Sequence, residues 1–434
     1  MGKFPQLRYR SPFVQNIIAG ICVGFSAGIY VALNLLGAGG GRPDSAQVVQ
    51  IVNATLYFDE IGSRGFPIAA GVIIGIGAGM VFITAGYIQL AYPEEKEKGM
   101  YITTAVNLQA MGSVIGGIIP VIINRDSATS AGVPRSVYIS FIVIMFFAGL
   151  SGLLLLPPHK LTRDDGSVVA VDKARGPWEE LKANLLIFTD WKLMIMLPAF
   201  IPAECFLVYS GSVNAFHNDL RARSLLSFMA VVLQIPCGLG LQWILDHKVW
   251  GRRKRGLIGL TVVAVPLMAA WIWEIIRVRG YNRHETSSQP IDWSDPEFGW
   301  IFVLFMLTWI SSSLWQYLIM YFLGAMSNSP VKLAHYSGVF RGVLGAGEAV
   351  CFGLDSIEIP FVKEAGGIFA FYAAGVIVFY YLAWFHIDET NYFKDGETGV
   401  IVPNHILEEK GLQGIPAEDS VSAEPVTEEV QEKK

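Results

Sequence analysis

Two glutamates stand near the middle of long apolar runs: Glu204 in Pro202-Ala203-Glu204-Cys205-Phe206, and Glu348 in Gly345-Ala346-Gly347-Glu348-Ala349. At the centre of a bilayer an ionisable side chain costs about 2.5–3.5 kcal/mol on insertion scales, so each needs a reason to persist. Arg341, Glu348 and Asp355 follow one another at intervals of seven, which sets them on one helical face, two turns apart. That face must look into protein or water. Two readings are open. Either these groups form a buried polar network that fixes helix register, or Glu204 or Glu348 takes up a proton or the cationic group of a solute, because a desolvated carboxylate is readily neutralised. Asn34 and Gln316, with Asn107, Gln109 and Gln234, are further polar side chains in such runs. They read first as interhelical hydrogen bonds, and Asn34 and Gln316 second as solute contacts.

The elements that must position these residues are apolar stretches near 14–36, 66–90, 101–123, 136–156, 191–213, 224–246, 256–276, 298–323, 337–357 and 366–386, in a chain of 434 residues that is 53% hydrophobic with mean hydropathy +0.45. Each is close to the roughly 20 residues that cross a bilayer as a helix. Helices satisfy their own backbone in lipid, so the chain is expected to be an all-α polytopic membrane protein whose first partner is the lipid bilayer. Gly20, Gly24 and Gly28 in the first span, Gly71, Gly75 and Gly79 in the second, and Gly112 with Gly116 in the third predict close helix packing. Cys22, Cys205, Cys237 and Cys351 lie in separate spans without CxxC or Cys/His spacing, so they read as small core residues with no metal or redox role.

Nothing in the sequence points to an enzyme. It contains no GxxxxGK[ST], HExxH or GxSxG, the patterns that nucleotide, zinc and acyl chemistry would require. No cofactor and no nucleic-acid partner are implied. Asn53-Ala54-Thr55 is a glycosylation sequon close to the membrane.

Ten spans put both termini on one side. Lys3, Arg8 and Arg10 in the N-terminal tail, and Lys248, Arg252, Arg253, Lys254 and Arg255 in the short loop 247–255, make that side cytoplasmic by the positive-inside rule. The expected organisation is a tail at 1–13, a four-span bundle at 14–157, a linker at 158–190, a six-helix bundle at 191–386 and an acidic tail without fixed structure at 387–434. Within the linker, 177–186 can form an amphipathic helix on the membrane surface, either a plain connection or a docking surface. In the loop 247–255, Asp246, Gly251, Arg252 and Arg253 are either a gate, with Asp246 pairing with Arg252 or Arg253 or capping a neighbouring helix, or a topogenic charge cluster.

The segments Gly37-Ala38-Gly39-Gly40-Gly41, Ala91-Tyr92-Pro93 leading to Lys98-Gly99, Tyr336-Ser337-Gly338-Val339-Phe340-Arg341-Gly342 and Phe352-Gly353-Leu354-Asp355-Ser356 resemble, in order and composition, the fungal Unc-ninety-three-like branch of the major facilitator superfamily. Asp246 followed by Gly251-Arg252-Arg253 is similar to that superfamily's cytoplasmic Asp, Gly-Arg-Arg loop, with two extra residues between Asp and Gly. The resemblance implies a two-bundle fold around a central cavity. It also implies two functions: transport of a small solute, with the proton uptake that Glu204 or Glu348 would supply, or regulation or escort of another membrane protein. The chain departs from the family in its count. Twelve spans are expected, and the run Val48-Val49-Gln50-Ile51-Val52 breaks into Phe58-Asp59-Glu60, as though the second and third spans were missing and 45–57 were a stub. An inactive, shortened form is therefore a third expectation.

Overall fold

The structure is a computed structural model and describes residues 7–35, 65–123, 135–164, 166, 167, 169, 176–284, 290–393, 400 and 402–411. The glycine-rich segment 37–41, the expected stub at 45–57, the sequon at Asn53 and the acidic residues beyond 411 lie outside them.

The described helices run in chain order: α1 Pro12–Leu35, α2 Gly65–Ala91, α3 Lys98–Ile123, α4 Arg135–Ser151, α5 Pro177–Leu186, α6 Trp191–Phe200, α7 Cys205–His217, α8 Leu220–Leu245, α9 Arg252–Val278, α10 Phe298–Met326, α11 Pro330–Ser356, α12 Phe361–Phe385 and the short α13 Asn404–Glu409. Among the described residues, eight segments are long and apolar enough to cross a membrane, with α6 and α7 counted as one. The shorter α4 continues through a 3-10 turn at Gly152–Leu154. The 27-residue α11 has the length but carries Lys332, Arg341, Glu348 and Asp355, which lower its hydropathy. This is a multi-pass, all-helical membrane protein.

Local chemistry fixes the helix ends. Asp190 and Asp219 accept hydrogen bonds from the amides of Lys192 (3.0 Å) and Ala222 (2.7 Å) at the starts of α6 and α8, filling orphan donors of each first turn. Pro330 opens α11, where a missing N–H costs nothing. The span expected at 191–213 is not one helix, however. Pro198 and Pro202 withdraw two backbone donors, and the chain passes through a 3-10 turn at Ile201–Ala203 and a non-helical Glu204 before α7 begins.

Packing follows the glycines only in part. α1 lies along α3, where a Cβ at Gly24 would strike the backbone of Leu108 and one at Gly112 the backbone of Gly24. Ser113 donates to the Gly28 carbonyl at 2.7 Å across the same contact. In α2, by contrast, a Cβ at Gly75 or Gly79 meets nothing within 4 Å, and Ile73 is 71% exposed. Among the described residues, Gly75 and Gly79 of the expected seam meet no partner, because only the last turns of α2, from Ala85 onward, are buried. The expectation for the cysteines also needs correcting. Cys205 and Cys351 are buried and Cys22 partly so, but Cys237 is exposed on the outer face of α8.

α6–α12 pack as one group, with α9 against α10 and α12, α8 against α10, and α6 against α12. They meet the first four helices along α3–α8, α2–α11 and α1–α7. The tail expected to lack structure from 387 does not do so throughout. Residues 387–393 and 402–411 fold back, with Val402 and Leu407 buried and α13 formed, because apolar side chains and hydrogen-bonding groups there find partners on the loop between α2 and α3.

The two glycine faces differ in what a side chain would meet. Gly112→Val should lower stability by about 1–3 kcal/mol by overpacking, read as a lower melting midpoint of the detergent-purified protein. Gly79→Val should stay within about 0.5 kcal/mol, as for a substitution with no neighbours. Equal losses in both would mean that α2 is packed like α1.

Candidate functional site

The break between α6 and α7 frees carbonyls at membrane depth, and three side chains from two other helices take them up. Trp315 Nε1 donates to Ala199 O (3.0 Å), Tyr372 Oη to Pro202 O (3.0 Å) and Gln316 Nε2 to Ala203 O (2.7 Å). Gly347 of α11 lies directly against the Ile201 carbonyl and Gly375 of α12 against Ala199, and a side chain at either would collide with that backbone.

Glu204 sits in this break. Gln316 Nε2 also donates to its Oε2 at 2.7 Å, so one amide binds both the carboxylate and the carbonyl beside it. Arg341 contributes the opposing charge. Its guanidinium lies over the ring of Phe82 on α2 (4.8 Å) and near Phe340 (5.2 Å), and its buried Nε has no hydrogen-bond partner. Glu348 Oε1 accepts from Tyr30 Oη of α1 at 3.0 Å and feels the charge of Glu204. Gly338, Gly342 and Gly345, on the same helix, border open space.

The structure thus brings Glu204, Gln316, Arg341 and Glu348 into one half-buried seam, with Tyr30 and Phe82 contributed by the first four helices. It does not bring Asp355 there. That residue lies a heptad from Glu348, about 10 Å along the axis, and pairs with Arg283. The side chain of Asn34 lies outside the described set. Asn107 and Gln234 hydrogen-bond between helices, accepting from Tyr317 Oη (2.8 Å) and Trp309 Nε1 (3.1 Å). Two carboxylates and one guanidinium leave the seam one negative charge in excess. A proton or a cationic group can balance it.

A second polar centre closes one end of the bundle. Asp246 does not pair with Arg252 or Arg253; it caps α3, accepting from the Gly99 amide at 3.1 Å. Arg252 instead binds Glu95 (2.8 Å) on the loop between α2 and α3, while its own amide donates to Glu389 (2.6 Å). Gly251 allows that approach, since a Cβ there would crowd the Glu389 carboxylate. Arg253 is exposed. Glu95 Oε1 further accepts from Asn328 Nδ2 (2.6 Å) and the Asn391 amide (2.7 Å). Lys98 Nζ crosses in the other direction to Gly324 O (2.5 Å) and Asn328 Oδ1 (3.0 Å). Burial pushes the Glu95 carboxyl up, but Arg252 and the Asn391 amide outweigh it and hold it below the usual range. Burial lifts Asp246 to about 7 against the pull of Arg255 and the Gly99 amide.

Sequence reading missed Tyr30, Phe82, Glu95 and Lys98, because a tyrosine, a phenylalanine and loop charges carry no pattern until the helices are assembled. Pro198 and Pro202 were a legible signal for the break. Among the described residues no group of three His, Cys, Asp or Glu could hold a metal ion.

Fold and site together define a multi-pass helical membrane protein with a charged seam at a broken helix. No family model matches the sequence. An uncharacterised membrane protein of Schizosaccharomyces pombe is 29% identical over 466 positions, covering 96% of this chain and 93% of the relative. UNC93-like protein 1 of Arabidopsis thaliana is 30% identical over 312 positions, covering 71% of this chain and 68% of the relative. The chain belongs to the UNC93-like family. Among solved structures, a D-xylose–proton symporter is 14% identical with a TM-score of 0.47, covering 87% of this chain and 81% of that one.

The cap at Asp246 carries a pH signature. Its carboxyl titrates at 3.8 in an ordinary setting and at about 7 when folded, so between those values the folded chain holds a proton that the unfolded chain has released. Stability therefore falls as pH rises through this window. Asp246→Asn should remove that part of the slope while costing about 1–3 kcal/mol for the weakened cap, read from melting midpoints between pH 4 and pH 8. An unchanged slope would mean that Asp246 does not titrate there.

Proposed function

We infer that this protein is a secondary-transporter-type membrane protein that binds a small solute in the seam between α1–α4 and α6–α12. Glu204 and Glu348 act as the coupling acids, and Arg341 and Gln316 set their charge and orientation. The observation that carries this reading is an acid seated in a permanently broken helix, with a second acid hydrogen-bonded across to α1. Interrupted helices at mid-membrane are how transporter sites present polar groups without leaving backbone unsatisfied. In this reading, a proton on Glu348 neutralises the excess negative charge, and its loss returns that charge to the seam. Separation of α1 from α11 would break the Tyr30–Glu348 bond, so proton occupancy and helix movement are coupled. The centre at Glu95, Asp246 and Arg252 would hold one end shut during that exchange. The basic residues around Arg252 assign this end to the cytoplasm by the positive-inside rule, which puts both termini there.

A second reading has its own observation. The glycine face of α2, which meets nothing among the described residues, suits a chain that works against another membrane protein, as a regulator or escort, or a shortened form without transport. The test uses proteoliposomes and a panel of labelled sugars, amino acids, nucleosides and organic acids under an imposed pH gradient. Uptake of one class should follow the gradient, and Glu348→Gln, which keeps size and most hydrogen bonding, should leave a monodisperse protein whose uptake no longer depends on pH. Normal, pH-sensitive uptake by that variant would make Glu348 a structural residue. No uptake of any class by the intact chain would favour the second reading.

A further inference from the structure

At the opposite end of the six-helix group, Arg283 leaves the turn after α9 and gathers four other segments. Its Nη2 donates to Asp355 at the end of α11 and to Ser212 Oγ of α7 (2.7 Å). Its Nη1 donates to the Ile359 carbonyl in the α11–α12 turn (2.8 Å) and to Glu364 Oε2 in the first turn of α12 (3.3 Å). The guanidinium carbon lies 4.0 Å over the Phe361 ring. All three charged side chains are nearly dry, with exposures of 7% for Arg283, 10% for Asp355 and 1% for Glu364.

The arrangement does not balance. Two carboxylates share one guanidinium, and Glu364 Oε1 is buried without any hydrogen-bond partner. Neighbouring groups do not supply the missing charge. Tyr209 and the Glu274–Arg277 pair, beyond the Phe361 ring, satisfy one another at 2.9 and 2.5 Å. Glu358 faces His284 at the exposed rim (3.1 Å), and Lys363 points outward from α12. Among the described residues no second cation stands within ion-pair distance of Asp355 or Glu364. A buried carboxylate that leaves one oxygen without a donor and shares its counter-charge with a second acid is costly to keep ionised, and a proton removes the charge at once.

We propose that Arg283, Asp355 and Glu364 form a proton-binding site in which Asp355 is the ionised partner of Arg283 and Glu364 carries the proton. It stands whether or not the chain moves a solute. Loss of the proton leaves two carboxylates competing for Arg283, and the strain falls on the turn that joins α11 to α12. There Glu358 already adopts the left-handed backbone conformation, with φ of 55°, uncommon for a residue with a side chain. Because Arg283 also holds α7 through Ser212, the site acts as a proton-dependent clasp on α11, the helix that carries Arg341 and Glu348.

The experiment is pH-difference infrared spectroscopy on the full chain in lipid nanodiscs, following the carbonyl stretch of protonated carboxyl groups. Glu364→Gln should remove part of that signal. Asp355→Asn should remove the same part although Glu364 is intact, because one acid then faces one arginine and ionises. The second substitution separates the proposal from a loss caused by misfolding at Glu364, provided that both variants elute as single species. A spectrum of either well-folded variant that superimposes on that of the unaltered chain would overturn it.

Discussion

Pro198 and Pro202 remove two backbone donors from the middle of a membrane span and the helix breaks beside them, and in lipid no water stands ready for the carbonyls that the break frees. The rest of the six-helix group is arranged to meet that shortage. α10 contributes Trp315 and Gln316, α12 contributes Tyr372, and α11 comes close through Gly347. A continuous helix at 191–217 would need none of these. Their presence at the right depth means that the break is built into the packing of its neighbours, and with it the non-helical position of Glu204.

The charges follow a related logic with a different outcome at each depth. Glu95 accepts from three segments and Arg283 donates to four groups. These centres lie at the two ends of the bundle, where loops and helix termini offer many hydrogen-bonding groups. In the central seam the partners are few: Gln316 for Glu204, Tyr30 for Glu348 and aromatic faces for Arg341. Densely satisfied charges resist exchange, whereas sparsely satisfied ones can change protonation or partner at lower cost. The seam therefore suits a changing ligand and the Glu95 end suits structural hold, while at the Arg283 end the one sparsely satisfied group is Glu364, whose Oε1 is buried without a donor.

Much of the fold was legible because length and hydropathy alone separate a membrane helix from other elements. Helices stand at the expected spans, the one at 191–213 broken in its middle, and the α1–α3 contact is written in Gly20, Gly24, Gly28 and Gly112. Glu204 and Glu348 were legible for the same reason, since an acid is conspicuous in an apolar run. What could not be read was partnership. That Asp246 would cap α3 rather than pair with Arg252, or that Tyr30 would meet Glu348 318 residues away, depends on which helices become neighbours. The ordered part of the tail escaped detection too, because Val402 and Leu407 are apolar residues in a stretch dominated by polar ones.

The glycines of α2 join fold and site. They repeat at the spacing seen in α1, yet where α1 is filled by α3, Gly75 and Gly79 of α2 meet nothing among the described residues. The Schizosaccharomyces pombe relative aligns over 466 positions with a chain of 434 residues, so it carries segments that this chain lacks. Among the described residues, this helix patterned for close neighbours is held mainly through its last turns, where Gly86 meets Ser337. Phe82, which supports the Arg341 guanidinium, lies one turn beyond that anchor. The charge opposing Glu204 thus leans on a helix whose described side chains are mostly exposed before its last turns. Any segment that covered α2 would stabilise the seam through Phe82 without touching a single ionisable group.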